Sequence, residues 1–149
     1  MKTVDEILNS KGKNVVTISP EATVYEALKL MAEKDIGALV VVDSENVVGI
    51  LSERDYARKV MLSDNSSREV KVEDIMSSKV MYVSKNQDVE DCMALMTNKR
   101  IRHLPVLENE KLVGIISIGD IVKAVIEEKE FLIEHLAHYI KGTPSIKSK

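Results

Sequence analysis

The sequence lacks the residues that disulfides, stacking surfaces and nucleic-acid interfaces require. Cys92 is the one cysteine, so an intramolecular disulfide is excluded. There is no tryptophan, there is one phenylalanine, and aromatic residues make up 3% of the chain. The net charge of −3 gives no basic field of the kind that nucleic-acid-binding proteins present. We therefore expect no nucleic-acid partner.

Long apolar runs are missing as well. No run approaches the ~20 residues of a membrane-spanning helix, and the N-terminus lacks the basic-then-apolar order of a signal peptide. With a lone cysteine, these features predict no membrane association and a reducing, cytoplasmic location. The 149 residues, 44% hydrophobic and 30% charged, are typical of a soluble protein of one ordinary or two small domains.

The chain does contain an internal repeat. The segment GILSERD, which begins at Gly49, returns as GIISIGD, which begins at Gly114. Each segment joins an apolar strand pattern to the start of a helix, where backbone N–H groups can meet an anion. Two further short segments, VDEIL from Val4 and VEDIM from Val72, open the two copies.

The patterns around these segments predict the same elements in both copies. Short strands at 15–18 and 80–83 precede amphipathic helices with candidate N-caps Thr23 and Asp88. Strand hairpins at 38–51 and 103–116 follow, and a second helix begins after Ser52 and after Ser117. We predict an α+β fold of two β-α-β-β-α repeats. Each repeat has only about 60 residues, so a shared core is expected.

The predicted boundaries divide the chain into three parts. The first repeat spans residues 1–67, with a polar linker at 63–69, and the second repeat spans 68–126. The remainder, 127–149, is predicted to contain an amphipathic helix from Glu127 to Ile140 and a disordered tail from Lys141.

The pairs Ser52–Asp55 and Ser117–Asp120 have two interpretations. A serine N-cap followed three residues later by an acid is a variant of the capping box, and alone it favours a structural role. In the functional interpretation, the carboxylate accepts two ribose hydroxyls while unpaired N–H groups at the helix start face a phosphate.

Cations near Asp55 favour the functional interpretation. Arg54 lies in the first turn of its helix, where a positive charge opposes the helix dipole by a few tenths to about 1 kcal/mol. Arg58 lies four residues further on the same face, and Lys59 adds a third cation. A bound phosphate would offset these costs. The alternative is a solvated basic face neutralised by Glu53.

Other candidate residues are less specific. Arg102 and His103 form a second basic pair that fits phosphate, although His103 equally fits a capped, half-buried histidine. Cys92 lies on an apolar helix face and is expected in the core. His135 and His138 lack the spacing of the zinc-protease motif. Walker loops, dinucleotide glycine motifs and nucleophile–base pairs are missing, so we predict neither an enzyme nor a metal site.

These features resemble a tandem pair of CBS domains, the module named after cystathionine β-synthase. The resemblance covers about residues 4–125 and depends on the doubled Gly-h-h-Ser-x-x-Asp junction (h, hydrophobic), on RHLPV from Arg102, and on the Val-x-x-Ile-Met opening. It implies that the repeats pack sheet to sheet around a pseudo-twofold axis as a Bateman-type module. Two clefts that bind adenosine nucleotides would result.

By family analogy, each cleft combines residues of both repeats. One cleft would contain Asp55 and the other Asp120, with Ser52 and Ser117 near ribose and phosphate. The other predicted nucleotide-binding residues are Arg54, Arg58, Lys59, Tyr82, Ile101, Arg102 and His103 for the first cleft, and Thr17, Ile18, Ala22, Ile36, Gly37 and Gly119 for the second.

The two predicted clefts differ in charge. Gly119 stands where the first repeat has Arg54, and the first repeat has no basic counterpart of the pair 102–103. We therefore expect the Asp55 cleft to be the more cationic, and to bind AMP or a dinucleotide such as NAD(H) more tightly than the other cleft.

The resemblance implies a regulatory protein that senses energy or redox state. It would bind AMP or NAD(H), with ADP, ATP and S-adenosylmethionine as further candidates, and no catalytic cofactor. A ligand-dependent conformational change would be passed to an unidentified protein target or across a homodimer. The alternative is a ligand-free dimerisation scaffold, in which Asp55, Asp120 and Arg54 are only caps and surface charge.

Overall fold

The computed structural model describes residues 2–61 and 66–141, with side chains as far as residue 138. The chain forms two compact units that do not coincide with the two repeats. Unit A contains the described residues up to 12, residues 83–104 and those from 116 onward, and unit B contains the described residues of 13–82 and residues 105–115.

Unit B is built on a three-stranded sheet in the order β1-β2-β3. Strand β1 (Thr17–Ile18) pairs parallel with β2 (Ala38–Asp43), and helix α2 (Val24–Lys34) is the crossover between them. Strand β3 (Asn46–Ser52) pairs antiparallel with β2. Helix α3 (Glu53–Lys59) follows β3 directly, so the end of the sheet fixes the start of this helix.

The core of unit B includes side chains from both repeats. A short helix, α4 (Val72–Ile75), opens the second repeat but buries Val72 and Ile75 among residues of the first repeat. Hydrogen bonds from Val24 N to Val70 O and from Val72 N to Ala22 O, both 2.8 Å, hold it there. The buried core residues are Val24, Ala27, Met31, Leu39, Val41, Leu51, Val60, Val72 and Ile75.

Unit A contains the reciprocal exchange. Helix α1 (Val4–Lys11), which opens the first repeat, lies with α5 (Val89–Lys99) and α6 (Ile118–Lys141) of the second. Its residues Val4, Ile7 and Leu8 are buried. Hydrogen bonds of 2.9 Å from Val4 N to Gln87 O and from Val89 N to Lys2 O fix its position. Each repeat therefore completes a core with the opening segment of the other.

The second hairpin consists of β4 (His103–Glu108) and β5 (Lys111–Ser117), which form a two-stranded sheet. Both hairpins turn through two non-glycine residues with positive φ, at 44–45 and at 109–110. Positive φ at both central positions is the requirement of a type I′ turn, whose twist matches that of the flanking strands. The two repeats thus share their turn geometry as well as their sequence pattern.

The α+β class and the two repeats are confirmed, but the first strand of each repeat is shorter than predicted. Of the strand predicted at 15–18, only Thr17–Ile18 pairs, and of the strand predicted at 80–83 only Val83 makes a bridge. An alternating apolar pattern predicts an extended chain. A ladder also needs a partner strand in register, which the pattern does not show.

The C-terminal helix also differs from the prediction. The second helix of repeat two and the helix predicted from Glu127 are one element, α6, of 24 residues. No glycine or proline follows Gly119 before residue 142, so the sequence contains no signal to end the helix near 126. The predicted tail beyond residue 141 and residues 62–65 of the linker lie outside the described residues. Within the described ranges, no helix is both long and apolar enough to cross a membrane.

Candidate functional site

The first of the two repeated junctions is a complete capping box. Ser52 is the N-cap of α3, and its Oγ accepts a hydrogen bond from Asp55 N at 3.1 Å. In return, Asp55 Oδ2 accepts hydrogen bonds from Ser52 N and Ser52 Oγ, both at 3.0 Å. The carboxylate is thereby held in one orientation while 22% of the side chain stays exposed. The structural interpretation of this pair is confirmed.

The second junction repeats this geometry at the start of α6. Asp120 N donates to Ser117 Oγ at 3.1 Å, and Ser117 N donates to Asp120 Oδ2 at 2.8 Å. The Asp120 side chain is 23% exposed. Capping and ligand binding are compatible in both junctions, because each carboxylate is fixed by its cap and still reaches solvent.

Lys11 distinguishes the two carboxylates. Its Nζ lies 2.7 Å from Asp120 Oδ2, and this contact joins the last residue of α1 to the first turn of α6. At the other junction, Lys59 Nζ is 3.8 Å from Asp55 Oδ1 and donates to Ile75 O at 2.9 Å. Of the two repeated aspartates, Asp120 therefore has the shorter lysine ion pair, at 2.7 Å against 3.8 Å for Asp55.

Lys11 is not among the predicted site residues, because it lies 109 residues from Asp120 and outside the repeated motifs. The available signal was weak: a lysine directly before Gly12, at a position typical of a helix C-terminus. The predicted difference in charge between the two sites did not count this cation. With Lys11 beside Asp120, that difference is smaller than the repeats alone suggest.

The surroundings of Asp120 keep it ionised. Burial alone would raise the pKa of this carboxyl, but hydrogen bonds from Lys11 and Ser117 outweigh burial and lower the pKa. For nearby His103, burial lowers the pKa, the positive charges of Lys11 and Arg102 lower it further, and Asp120 opposes them. His103 is therefore a neutral imidazole at neutral pH, able to donate or accept one hydrogen bond but not to supply a charge.

Arg102 and Gly37 occupy equivalent positions in the two repeats. Ile118 N, at the start of α6, donates to Arg102 O at 2.9 Å, and Glu53 N, at the start of α3, donates to Gly37 O at 3.0 Å. Within unit A the structure thus brings Arg102 to the junction of Asp120. Within unit B it brings Gly37 to the junction of Asp55. The family resemblance predicts Arg102 for the Asp55 cleft and Gly37 for the Asp120 cleft. Their positions beside the opposite carboxylates were not predicted.

The residues that precede them also match. Asp35 and Arg100 end α2 and α5 in the left-handed conformation. Beyond them, Ile36 N and Ile101 N donate to Met31 O and Met96 O, both at 3.0 Å. These matched turns place the two predicted isoleucines identically in their repeats.

The other predicted residues fall into two groups by exposure. Ile18 and Ala22 are partly buried, whereas the remaining residues are exposed to solvent. The exposed residues are Thr17, Arg54, Arg58, Lys59, Tyr82 and Gly119. The predicted combination of residues from both repeats into single clefts stays a prediction.

Metal and thiol chemistry receive no support from the geometry. In the ranges that the structure describes, no group of three or more histidine, cysteine or acidic residues could hold a metal ion. Cys92 is fully buried, and burial raises the pKa of its thiol to about 11. It therefore packs in the core, as predicted.

The sequence matches the CBS domain family twice, over residues 4–62 and 72–127. The CBS domain-containing protein CBSX3, mitochondrial, of Arabidopsis thaliana is 39% identical over an alignment of 149 positions, which covers 94% of this chain and 72% of that protein.

Solved structures show the same similarity. A CBS-domain protein from Burkholderia ambifaria MC40-6 is 54% identical with a TM-score of 0.83, and the match covers 85% of this chain and 95% of that one. The hexameric CBS-CP12 protein from bloom-forming cyanobacteria is 35% identical with a TM-score of 0.74, over 81% of this chain and 66% of that one.

Proposed function

Because the chain belongs to the CBS domain family, we propose that it is a regulatory, non-enzymatic protein that binds an adenine nucleotide. AMP and NAD(H) are the proposed ligands, held through Asp55 and Asp120. Binding would report energy or redox state by shifting a conformational equilibrium, which requires that the ligand bind one conformation more tightly than the other. A separate protein, unidentified by sequence, would receive the signal.

The observation that carries this proposal is the pair of oriented, solvent-accessible carboxylates. Each is fixed by reciprocal hydrogen bonds with a serine and reaches solvent over about a fifth of its side-chain surface. A carboxylate can accept hydrogen bonds from two adjacent hydroxyls, which are the distinctive groups of a ribose. Arginine and lysine near each carboxylate suit the phosphate that follows the ribose.

Thermal unfolding with and without ligand tests the proposal against a ligand-free scaffold. A ligand at ~100 times its Kd stabilises the native state by about 2.7 kcal/mol, which corresponds to a rise in Tm of about 5–10 °C for a chain of this size. We expect this rise with AMP, NAD or NADH. It should be lost in the Asp55→Ala, Asp120→Ala double variant and kept in Asp43→Ala, an exposed acid at the end of β2. No rise with any nucleotide would favour the scaffold.

The physiological ligand is best identified from the protein itself. Mass spectrometry of nucleotide released from purified, denatured protein would distinguish AMP from NAD(H). A CBS domain pair that is 24% identical and shares the fold was solved with 5′-methylthioadenosine and S-adenosyl-L-methionine. Both compounds therefore belong in the panel, together with ADP and ATP.

We also propose that the Asp55 site binds the more tightly of the two. Arg54, Arg58 and Lys59 are exposed next to Asp55, whereas Lys11 already pairs with Asp120. Calorimetric titration should show a larger loss of affinity in Asp55→Ala than in Asp120→Ala. Equal losses of affinity in the two variants would contradict the proposed difference between the two sites.

Self-association is proposed through α6. Its exposed apolar side chains Val122, Ile126, Ile133 and Leu136 recur at helical spacing, with exposed fractions between 46% and 65%. We expect light scattering to show a homodimer that the double variant Ile126→Glu, Ile133→Glu dissociates, while Met61→Glu, at an exposed residue of unit B, does not. A monomeric wild type, or a hexamer like the CBS-CP12 protein, would contradict the homodimer.

A cytoplasmic location is proposed from the sequence features alone. The Arabidopsis relative is described as mitochondrial. Fractionation of the source cells decides between a cytoplasmic and an organellar location.

A further inference from the structure

Lys11 occupies one oxygen of the Asp120 carboxylate, so a ribose diol that bonds to both carboxylate oxygens would meet the lysine. Its Nζ is 2.7 Å from Asp120 Oδ2, the same oxygen that accepts the Ser117 N–H at 2.8 Å. The capping bond is part of the helix start and stays in place, whereas the lysine contact comes from another element. A hydroxyl that approaches Oδ2 therefore competes with Lys11.

Helix α1 places this lysine. Val4, Ile7 and Leu8 are buried and anchor the helix, and Gly12, at φ 103°, ends it with a hydrogen bond from its N–H to Leu8 O. A cation in the last turn also complements the helix dipole. The backbone of Lys11 is thus fixed, and its flexible four-carbon side chain is the part that can move.

The ion pair is of the kind that a ligand can displace. The Lys11 side chain is 34% exposed and that of Asp120 is 23% exposed, so solvent weakens their attraction. Arg102, whose carbonyl accepts the Ile118 N–H, has an exposed side chain, and His103 is half-buried. A phosphate near Asp120 would offer Lys11 a second anion within reach.

We infer that Lys11 is a displaceable latch: an adenosine phosphate bound at Asp120 transfers the Lys11 ammonium from the carboxylate to the phosphate, and so releases the end of α1 from α6. This inference rests on the proposed nucleotide binding and goes further, because it selects the ligand class. A neutral nucleoside must displace Lys11 without giving it a new partner. A phosphorylated ligand replaces one anion with another.

In the described part of the chain, Asp55 has no ion pair with a lysine from another element. Lys59 belongs to the same helix as Asp55, lies 3.8 Å from it, and donates to the Ile75 carbonyl. Lys79, which the matched opening segments place opposite Lys11, is exposed beyond the end of α4. Among the residues that the structure describes, the latch therefore belongs to the Asp120 site.

Titration of AMP and of adenosine tests the latch. The comparison uses Lys11→Met with Lys13→Met as the matched control, since Lys13 is an exposed lysine two residues further on. Both substitutions are made in an Asp55→Ala background, so that one site is measured. Because exposed ion pairs are modest in strength, we expect Lys11→Met to bind adenosine about twofold to fivefold more tightly and AMP more weakly by a similar factor. Lys13→Met should change neither affinity.

Because Lys11→Met should raise the affinity for adenosine and lower the affinity for AMP, the possible outcomes can be distinguished. If AMP binds Asp55→Ala but Lys11→Met changes both affinities in the same direction, or neither, the latch is wrong and nucleotide binding stands. If neither the wild type nor Asp55→Ala binds AMP or NADH, both proposals are overturned. As a second readout, AMP should speed amide hydrogen exchange at the end of α1 in Asp55→Ala but not in its Lys11→Met derivative.

Discussion

At Gly49 and Gly119, the effect of one added methyl group on the free energy of unfolding depends on the atoms that surround it. A Cβ on Gly49 in β3 would lie 2.5 Å from Met76 Sδ and 3.0 Å from the Ser77 carbonyl oxygen. The sulfur belongs to a flexible side chain, but the carbonyl is backbone that pairs with Ile50 N. A Cβ on Gly119 in α6 would meet its nearest atom, Ser117 Oγ, at an ordinary 3.6 Å. The same substitution should therefore have opposite effects.

We expect Gly49→Ala to lower the free energy of unfolding by about 1–3 kcal/mol, because overpacking forces the strand and the segment after α4 apart. Gly119→Ala, the matched control, should raise it by about 0.4–1 kcal/mol, because the first turn of α6 has room for the methyl group and alanine loses less backbone entropy on folding than glycine. Urea unfolding at pH 7 measures both. A neutral Gly49→Ala variant would show that the segment after α4 packs less closely than described.

At the scale of single elements, the ion pair between α1 and α6 makes stability depend on pH. Asp120 has a lowered pKa in the folded state, so its ionised form stabilises the fold above the unfolded pKa of about 4. That contribution disappears as the pH falls through the lower, folded pKa.

Urea unfolding between pH 6 and pH 3 should therefore show a smaller loss of stability in Asp120→Asn than in the wild type. Lys11→Met should reduce the loss too, because the Lys11 hydrogen bond is the largest contribution that lowers the Asp120 pKa. Asp43→Asn, at an exposed residue at the end of β2, serves as the control. Parallel curves for wild type and Asp120→Asn would contradict the ion pair.

Local signals in the sequence predicted most of the elements correctly. Thr23 caps α2 with a full capping box to Glu26, and Asp88 precedes α5 as predicted, although its side chain does not cap the helix. The three-residue spacing alone predicts that Ser52 pairs with Asp55 and Ser117 with Asp120. Lys11 is not predicted in this way, because its partnership with Asp120 depends on how α1 packs against α6, a long-range contact that no local pattern contains.

At the scale of the whole molecule, each repeat needs the opening segment of the other to complete its core, so neither repeat is expected to fold alone. Unit B needs Val72 and Ile75 from the second repeat, and unit A needs α1 from the first. Small size predicted a shared core, but not that the opening segments are the shared parts. The repeat boundaries in sequence therefore differ from the boundaries of the compact units.

A fragment of residues 1–67 should consequently fail to fold, because it lacks two core side chains and leaves the apolar face of α1 without its partners. Circular dichroism during urea titration should show no cooperative transition for the fragment and one for the full chain. Extending the fragment to residue 82 adds α4 and should restore some cooperativity. A sharp transition in the 1–67 fragment would contradict the exchange.

Calorimetric titration of AMP, with NADH as second ligand, shows whether the two capped aspartates bind an adenine nucleotide. We expect saturable binding to the wild type, loss of one site in each of Asp55→Ala and Asp120→Ala, and loss of both in the double variant, with Asp43→Ala unchanged. Absence of binding to the wild type, or undiminished binding to the double variant, would contradict nucleotide binding at the two aspartates.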